Sequence, residues 1–312
     1  MIIYPIVLWF LFLPAAEQPD YFSYHRAINQ AEAYIVQESF DSALVQLERV
    51  LQQYDFCFAK DVLLASQVSL LEGRRERSLF WAKRAMKQGY LLSCLRQIPI
   101  FRDSFDRSTW DSLEIAFPSL RKDYLGRIDL ELLTELSQRY SAEQKAKRTN
   151  EYRAVVQGNF NRIKQLMNSR KGFPGEGVAG LDYARLADKL ADCDAGNSKV
   201  IVTLLHYPHP IAEIGEEPFM TAIADGKLHP REFARIYTFE KQQVSVLYGK
   251  TNRIDRSLPT YHFNFPFAQR SDDLNQVNKD RARFGIGKYQ VDQQKEAIEI
   301  KFGLRLRFSN DI

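Results

Sequence analysis

The stretch FDSALVQLERVL, from Phe40 to Leu51, returns in outline 35 residues later as RERSLFWAKRAM, from Arg75 to Met86. In both copies the apolar residues recur every three or four positions, which is the spacing of an amphipathic helix. Ala43 and Ser78 occupy equivalent places in the two copies. Because small side chains at a contact let two helices approach closely, the pattern predicts consecutive helical hairpins and a mainly helical fold.

The period resembles that of tetratricopeptide repeats, in which each helical hairpin takes 34 residues. The resemblance covers residues 21–122, including an apolar closing segment from Gly89 to Trp110 that would cap the stack. The family's small residue on the first helix corresponds to Ala31 and Ser66. The resemblance implies a surface that binds a peptide or a protein partner, although two repeats and a cap can also serve to pack against the rest of the chain. A generic helical bundle is the alternative.

The first residues of the chain are strongly apolar. From Ile2 to Ala16 there is no charged side chain. This run is shorter than the roughly 20 residues that span a bilayer, and the small residues at its end are typical of a signal cleavage region. We expect residues 1–16 to be a signal peptide and the protein to be exported, either periplasmic or extracellular, with no stable membrane span after cleavage. The alternatives are a retained anchor and a buried apolar segment.

Charge and cysteine content narrow the function classes. The formal net charge is +4, and Lys and Arg are interspersed with Asp and Glu. Nucleic-acid-binding proteins concentrate their cations in a stripe, so no nucleic-acid partner is expected. The three cysteines, Cys57, Cys94 and Cys193, include no CxxC pair. Since an odd number argues against a disulfide framework, we expect buried free thiols, with a Cys57–Cys94 pair as the alternative.

The remainder of the chain, residues 128–312, is expected to form an α+β domain. Helical periodicity runs from Asp129 to Met167 and returns between Phe219 and Tyr237. Nearer the C-terminus the apolar residues recur with a period of two, which is typical of half-buried strands. We therefore expect a small antiparallel sheet built from three segments, namely Gln242 to Tyr248, Tyr261 to Phe267 and Ile298 to Phe308.

A second resemblance rests on short motifs in a fixed order, which are Glu135-Leu136, Gln144, Arg148, Asn161, Gly172-Phe173-Pro174, His206, Gly226-Lys227-Leu228, Tyr248-Gly249, Val277-Asn278, Arg281, Gly285 and Tyr289. In these motifs the chain is similar to a family of bacterial domains of unknown function, the DUF6624 type. An Asp-Arg pair common in that family is replaced here by Thr238-Phe239, and the Thr-Gln that usually follows Tyr-Gly is replaced by Lys250-Thr251. The resemblance implies a domain and candidate pocket residues but no reaction.

Four of the five histidines lie between residues 206 and 262, and the motif His206-Tyr207-Pro208-His209 is followed by three glutamates. Imidazole and carboxylate groups are zinc ligands, but a proline inside the motif is unlike the helical HExxH arrangement. Neither a metal nor another cofactor is expected. His206 is the candidate general base, and Gln144, Arg148, Asn161 and Tyr248 are candidate binding residues, with Arg148 suited to an anionic group. The alternative is a set of exposed or hydrogen-bonded surface residues.

Three other features predict structure rather than chemistry. The glycine-rich segment from Gly172 to Gly177 lacks the Lys-Ser/Thr ending of a phosphate loop, so a tight turn is expected. Cys193 lies between two aspartates, which disfavour a nucleophilic thiolate. The charged stretch from Glu143 to Arg153 is typical of a solvated helix face or a linker.

These observations favour an exported, non-catalytic interaction or scaffold protein, in which the repeats dock a partner or pack on the C-terminal domain. The alternative is a hydrolase-like enzyme with a pocket centred on His206.

Overall fold

The computed structural model of the protein describes residues 20–181, 193, 199–247 and 274–307, and for residues 241–247 it describes the backbone alone. Within these ranges the chain forms fifteen helices. They are α1 (Tyr21–Val36), α2 (Phe40–Gln53), α3 (Ala59–Leu71), α4 (Arg75–Lys87), α5 (Leu92–Leu95), α6 (Pro99–Ser104), α7 (Arg107–Leu125), α8 (Leu130–Ala146), α9 (Tyr152–Met167), α10 (Lys199–His206), α11 (Pro210–Ile214), α12 (Glu216–Ala224), α13 (Pro230–Leu247), α14 (Leu274–Arg283) and α15 (Tyr289–Phe302).

The first four helices form two hairpins, α1 with α2 and α3 with α4, and the hairpins pack on each other. Small residues lie at the helix contacts. Ala43 and Ser78 are completely buried, and the hydroxyl of Ser66 donates to the carbonyl oxygen of Ser78 at 2.8 Å. The turn between α3 and α4 contains Gly73 at φ +69°, a conformation that costs glycine little because it has no Cβ.

Helix α7 continues the stack on the outer side of α4. The two helices run parallel. Arg75 pairs with Asp106 where both helices begin, and Lys87 pairs with Asp123 where both helices end. Leu113 follows Ser78 by 35 residues and is likewise completely buried. The third unit thus repeats the spacing of the first two with a large apolar side chain at the equivalent position.

The helices from α8 to α14 form a second hydrophobic core. Its centre consists of apolar side chains with no exposed surface, among them Phe160, Ile201, Phe219 and Phe233. The ring of Phe160 stacks on that of Tyr207 at 3.8 Å between centroids, which joins α9 to the end of α10. The helices expected between Asp129 and Met167 are present as α8 and α9.

After α15 the chain returns to the first core. Ile298, Leu304 and Leu306 are buried against the side chains of the hairpins. The side-chain amide of Gln67, on α3, donates to the carbonyl oxygen of Arg305 at 3.2 Å and accepts its N–H at 2.7 Å. The inner face of the hairpins is therefore covered by the C-terminal part of the same chain.

The expected antiparallel sheet is wrong, since the described residues contain no β-strand. Gln242 to Leu247 continue α13 as a helix. The alternation from Ile298 onward combines two conformations, because α15 continues to Phe302 and Gly303 then turns the chain in a left-handed conformation at φ +67°. Ile300, expected on the buried face, is 78% exposed. The segment from Tyr261 to Phe267 and the end at Phe308 lie outside the described residues.

The expectation of free thiols is wrong for two of the three cysteines. Cys94, in α5, forms a disulfide with Cys193, 99 residues further along the chain. Cys57 is a buried free thiol, as expected, and burial raises its pKa to about 12. The disulfide joins the closing segment of the first core to the second half of the chain.

The glycine-rich segment after α9 is a turn, as expected, and it also reaches the first half of the chain. Its Glu176 carboxylate accepts the backbone N–H of Ala59 at 2.6 Å and so caps the first turn of α3. Gly175 lies so close to the chain that an added Cβ would be 1.7 Å from the carbonyl oxygen of Lys227. Both contacts fix this turn against its surroundings.

Candidate functional site

His206, the candidate general base, lies at the end of α10 beside a carboxylate that sequence reasoning did not select. Its Nδ1 is hydrogen-bonded to Glu143 of α8. The other oxygen of Glu143 accepts a hydrogen bond from Asn159 Nδ2, on α9, at 2.7 Å. Three helices thus converge in a chain of polar contacts from an amide through a carboxylate to an imidazole, which we call the His206 centre.

The His206 centre differs from a surface ion pair in its burial. The side chain of Glu143 has no exposed surface, whereas that of His206 is 23% exposed. A buried carboxylate on Nδ1 orients the ring and fixes which nitrogen carries the proton. Among the described residues, Nε2 of His206 has no hydrogen-bond partner. The exposed part of the His206 side chain is open to a molecule that approaches from solvent.

Of the other predicted site residues, Arg148, Asn161 and Gln144 do not join this centre. Arg148 is exposed, with φ at 72°, just after the end of α8. Asn161 is exposed and accepts a hydrogen bond from Gln157 at 3.1 Å. Gln144 follows Glu143, and its buried Nε2 has no hydrogen-bond partner among the described residues. Tyr248 lies outside the described residues.

The stretch from Glu143 to Arg153 was expected to be solvated, and this expectation is wrong for Glu143, which is buried. A signal for its burial was present, because Glu143 follows Leu136 by seven residues, two helical turns along the buried face of α8. Asn159 carried the same signal, since it precedes Leu166 by seven residues on the buried face of α9. Asn161, which was predicted instead, is exposed on the same helix.

A second polar group, which we call the ion cluster, lies where α1, α13 and α15 meet. Arg231 donates two hydrogen bonds of 2.7 Å to the carboxylate of Asp292. The ammonium of Lys295 lies 2.7 Å from Glu32 and 2.9 Å from Asp292. Arg281 also pairs with Asp292. Burial alone would raise the pKa of Asp292, but the charges of Arg231 and Lys295 hold it well below its usual range.

Helix α3 adds two more ionisable groups beside the ion cluster. Burial raises the pKa of Asp61 to about 6, and the hydroxyl of Tyr24 donates to its carboxylate at 2.8 Å. Burial lowers the pKa of Lys60 to about 7. Buried ion pairs lose hydration that their attraction only partly replaces, so they add little net stability. We infer that these groups instead specify how the two halves of the chain fit together.

Two imidazoles adjoin the ion cluster, and neither is open to a substrate. The rings of His25 and His229 contact each other edge to face at 5.0 Å between centroids. His229 accepts the backbone N–H of Arg231 through Nδ1. The adjoining cavity measures about 10 Å³, which holds about one water molecule. His229 is therefore hydrogen-bonded, as the alternative to a catalytic histidine predicted. It is buried, however, and does not lie on the surface.

A third feature is a row of exposed apolar residues on α2, α4 and α7, which we call the outer row. Val45, Phe80 and Ile115 follow one another at intervals of 35 residues and are 50%, 50% and 81% exposed. Each lies on the outer helix of its unit, α2, α4 or α7. Arg77 lies over the ring of Phe80 at 4.9 Å. Exposed apolar side chains that recur at intervals of 35 residues form a pattern, unlike singly scattered exposed residues.

Comparison of the chain with protein-family models, with curated proteins and with solved structures gives no match in any of the three. The resemblances to tetratricopeptide repeats and to the DUF6624 type therefore stay predictions. Among the described residues, no helix is both long and apolar enough to cross a membrane. Within the same ranges, no group of three or more His, Cys, Asp or Glu side chains is placed to hold a metal ion.

Proposed function

We propose that the protein is an exported interaction protein whose partner binds the outer row. The observation that carries this proposal is the recurrence of exposed apolar side chains at 35-residue intervals on α2, α4 and α7. Aromatic and arginine side chains contribute most to protein interfaces, and Phe80 with Arg77 supplies this combination. A partner in solution would remove the apolar surface from water.

The inner face of the hairpins is a weaker candidate for docking. The described side chains of α3 from Ala59 to Ser69 are all buried. Gln67 uses both its donor and its acceptor on the backbone of Arg305. A partner on this face would first have to displace residues that complete the first core.

The spacing of the outer row favours a helical partner. Helix α4 packs on α7, and ion pairs of Arg74 with Asp41 and Arg77 with Glu48 link α4 to α2. Axes of packed helices lie about 8–10 Å apart, and we take the interval between the three side chains to be about 10 Å. A partner helix advances about 1.5 Å per residue and therefore about 10 Å in seven residues. An amphipathic helix with apolar residues at every seventh position, laid across the outer helices, would meet all three side chains.

The direct test is binding of a synthetic amphipathic helix with leucine at every seventh position. We expect it to bind the purified chain and to bind roughly tenfold or more weakly to a variant with Val45→Glu, Phe80→Glu and Ile115→Glu. Ile300→Glu is the matched control, because Ile300 is exposed but lies on α15. Equal binding by both variants, or by a peptide with scrambled leucines, would reject the outer row.

Export is tested separately. Cleavage after residue 16 predicts that the mature protein begins at Glu17. Mass spectrometry of protein recovered from the periplasmic or extracellular fraction of a bacterial host measures this directly. A retained N-terminus in the membrane fraction would favour the anchor.

A second candidate function rests on the His206 centre, which has the parts of a general acid–base group. Such groups contribute about 10²–10⁴-fold to a reaction rate. We expect turnover of chromogenic esters, phosphoesters or glycosides to fall by roughly that factor in His206→Ala and to persist in His209→Ala. Glu143→Gln should lower turnover with circular dichroism unchanged. Absence of any turnover that depends on His206 would dismiss the enzyme hypothesis.

A further inference from the structure

An open cavity of about 830 Å³ lies where the end of α1 meets α14 and the first turns of α15. Its volume falls in the range of small-molecule sites, about 300–1,000 Å³. It shares no residue with the outer row, the His206 centre or the ion cluster. Half of its lining consists of side-chain carboxamides, which belong to Gln37, Asn275, Asn278, Gln290 and Gln294.

The charged residues of the described lining are both lysines. Among the described residues, Lys279 and Lys288 line the cavity and no Asp or Glu does. Neither lysine forms an ion pair with a described residue, in contrast to Lys301, which pairs with Glu38. The first turn of α15 also contributes to the lining, and the N-terminus of a helix carries a partial positive charge. Two ammonium groups and a helix terminus together favour an anionic ligand.

The carboxamides define the remaining chemistry. Asn278 donates to Gln290 at 3.0 Å and accepts the backbone N–H of Tyr289 at 2.9 Å, which fixes one wall of the cavity. A carboxamide offers both donors and an acceptor, so it can bind a hydroxyl in either role. None of the described residues that line the cavity is aromatic, so a nucleobase would lack among them the ring on which bases usually stack. The lining is thus suited to a ligand rich in hydroxyl groups.

We propose that this cavity binds an acidic saccharide. The ammonium groups of Lys279 and Lys288 bind its carboxylate, and the carboxamides of Gln37 and Gln294 bind its hydroxyls. A cavity of this volume accommodates a disaccharide. The site is independent of the outer row, and each can be present without the other.

The test is calorimetric titration of the full chain with α-1,4-digalacturonate, using α-1,4-galactobiose as the neutral counterpart of the same linkage. We expect the acidic disaccharide to bind roughly tenfold or more tightly than the neutral one. Its affinity should fall as sodium chloride rises, because salt screens exposed charges. Failure of digalacturonate to bind overturns the proposal. Tighter binding of inorganic phosphate or uridine monophosphate would overturn the saccharide class.

Substitutions then locate the site. Lys279→Met with Lys288→Met should weaken digalacturonate binding roughly tenfold or more, and Gln294→Ala should weaken both disaccharides. Lys145→Met is the matched control, since Lys145 is an exposed lysine of α8. Thermal unfolding of each variant verifies the fold. Unchanged affinity in the double lysine variant, or an equal loss in Lys145→Met, would place the binding elsewhere and overturn the assignment.

Discussion

Two glycines of the second half have opposite requirements. Gly158 is exposed within α9, and an added Cβ there would meet no atom within 4 Å. Because glycine loses more backbone entropy than alanine in a helix, Gly158→Ala should stabilise the protein by about 0.5–1 kcal/mol. Gly175→Ala would place its Cβ 1.7 Å from the Lys227 carbonyl oxygen and should destabilise it by about 3 kcal/mol or more. Urea denaturation measures both, and equal effects would contradict the close approach at Gly175.

The burial of His25 makes the free energy of unfolding depend on pH. Burial lowers its pKa from 6.5 to about 3, so between these values the unfolded chain binds more protons than the folded one. Stability contributed by the neutral ring is therefore present above pH 6.5 and is lost as the pH falls. His25→Phe keeps a ring against Phe58 and His229 and cannot be protonated.

We expect the free energy of unfolding of His25→Phe to rise relative to the natural chain by about 1.4 kcal/mol per pH unit below pH 6.5. Urea denaturation at pH 7, 6 and 5 gives this difference directly. His209→Phe is the control, since it replaces a half-exposed imidazole. A constant difference between the natural chain and His25→Phe across these pH values would contradict the assignment.

At the same scale, the sequence selected His206 as a candidate but did not predict its surroundings. A histidine stands out by its chemistry, whereas Glu143 lies in a run of charged residues, and its contacts with Asn159 of α9 and His206 of α10 form only in the folded chain. The ion cluster shows the same difficulty, since Glu32 and Asp292 are 260 residues apart. Their neighbours along the chain carry no sign of the ion pairs that α1 and α15 form.

At the scale of elements, the Gln67 side chain provides backbone hydrogen bonds to the segment from Gly303 to Arg307, which a neighbouring strand would provide in a sheet. It bonds both backbone groups of Arg305, while Glu299 accepts the N–H of Leu306 at 2.5 Å and that of Arg307 at 2.6 Å. A side chain thus satisfies the backbone where a sheet was expected. Alternation indicates which side chains are buried, but it does not tell a strand from a helix end followed by an extended segment.

Gln67→Leu should therefore loosen the final segment. It removes the hydrogen bonds that Gln67 makes to two backbone groups of Arg305, and we expect a loss of about 2–4 kcal/mol in the free energy of unfolding. Gln52→Leu, at an exposed position of α2, should leave stability within about 0.5 kcal/mol. Hydrogen exchange at the Arg305 amide provides a local reading. Undiminished protection of that amide in Gln67→Leu would refute the role of the Gln67 side chain.

For the whole molecule, the hairpins follow from local periodicity, but the path of the chain does not. Ala43 and Ser78 identify helix contacts within about 35 residues, and such contacts are visible in a pattern. The return of Leu304 and Leu306 to the first core spans more than 200 residues. Many apolar segments could have filled that place equally well by composition. Packing of distant elements, rather than propensity, decides between them.

The disulfide between Cys94 and Cys193 is the covalent counterpart of this long-range packing. It closes a loop with a sequence separation of 99 residues, and a cross-link of this length removes much of the entropy of the unfolded chain. We expect reduction, or Cys94→Ser, to lower the free energy of unfolding by about 3–5 kcal/mol. Cys57→Ala should leave this effect of reduction unchanged, because Cys57 is a free thiol. Alkylation of the unfolded, unreduced chain should label one cysteine and, after reduction, three. Three labelled cysteines before reduction, or identical urea midpoints with and without reductant, would show that the two halves are held together by non-covalent packing alone.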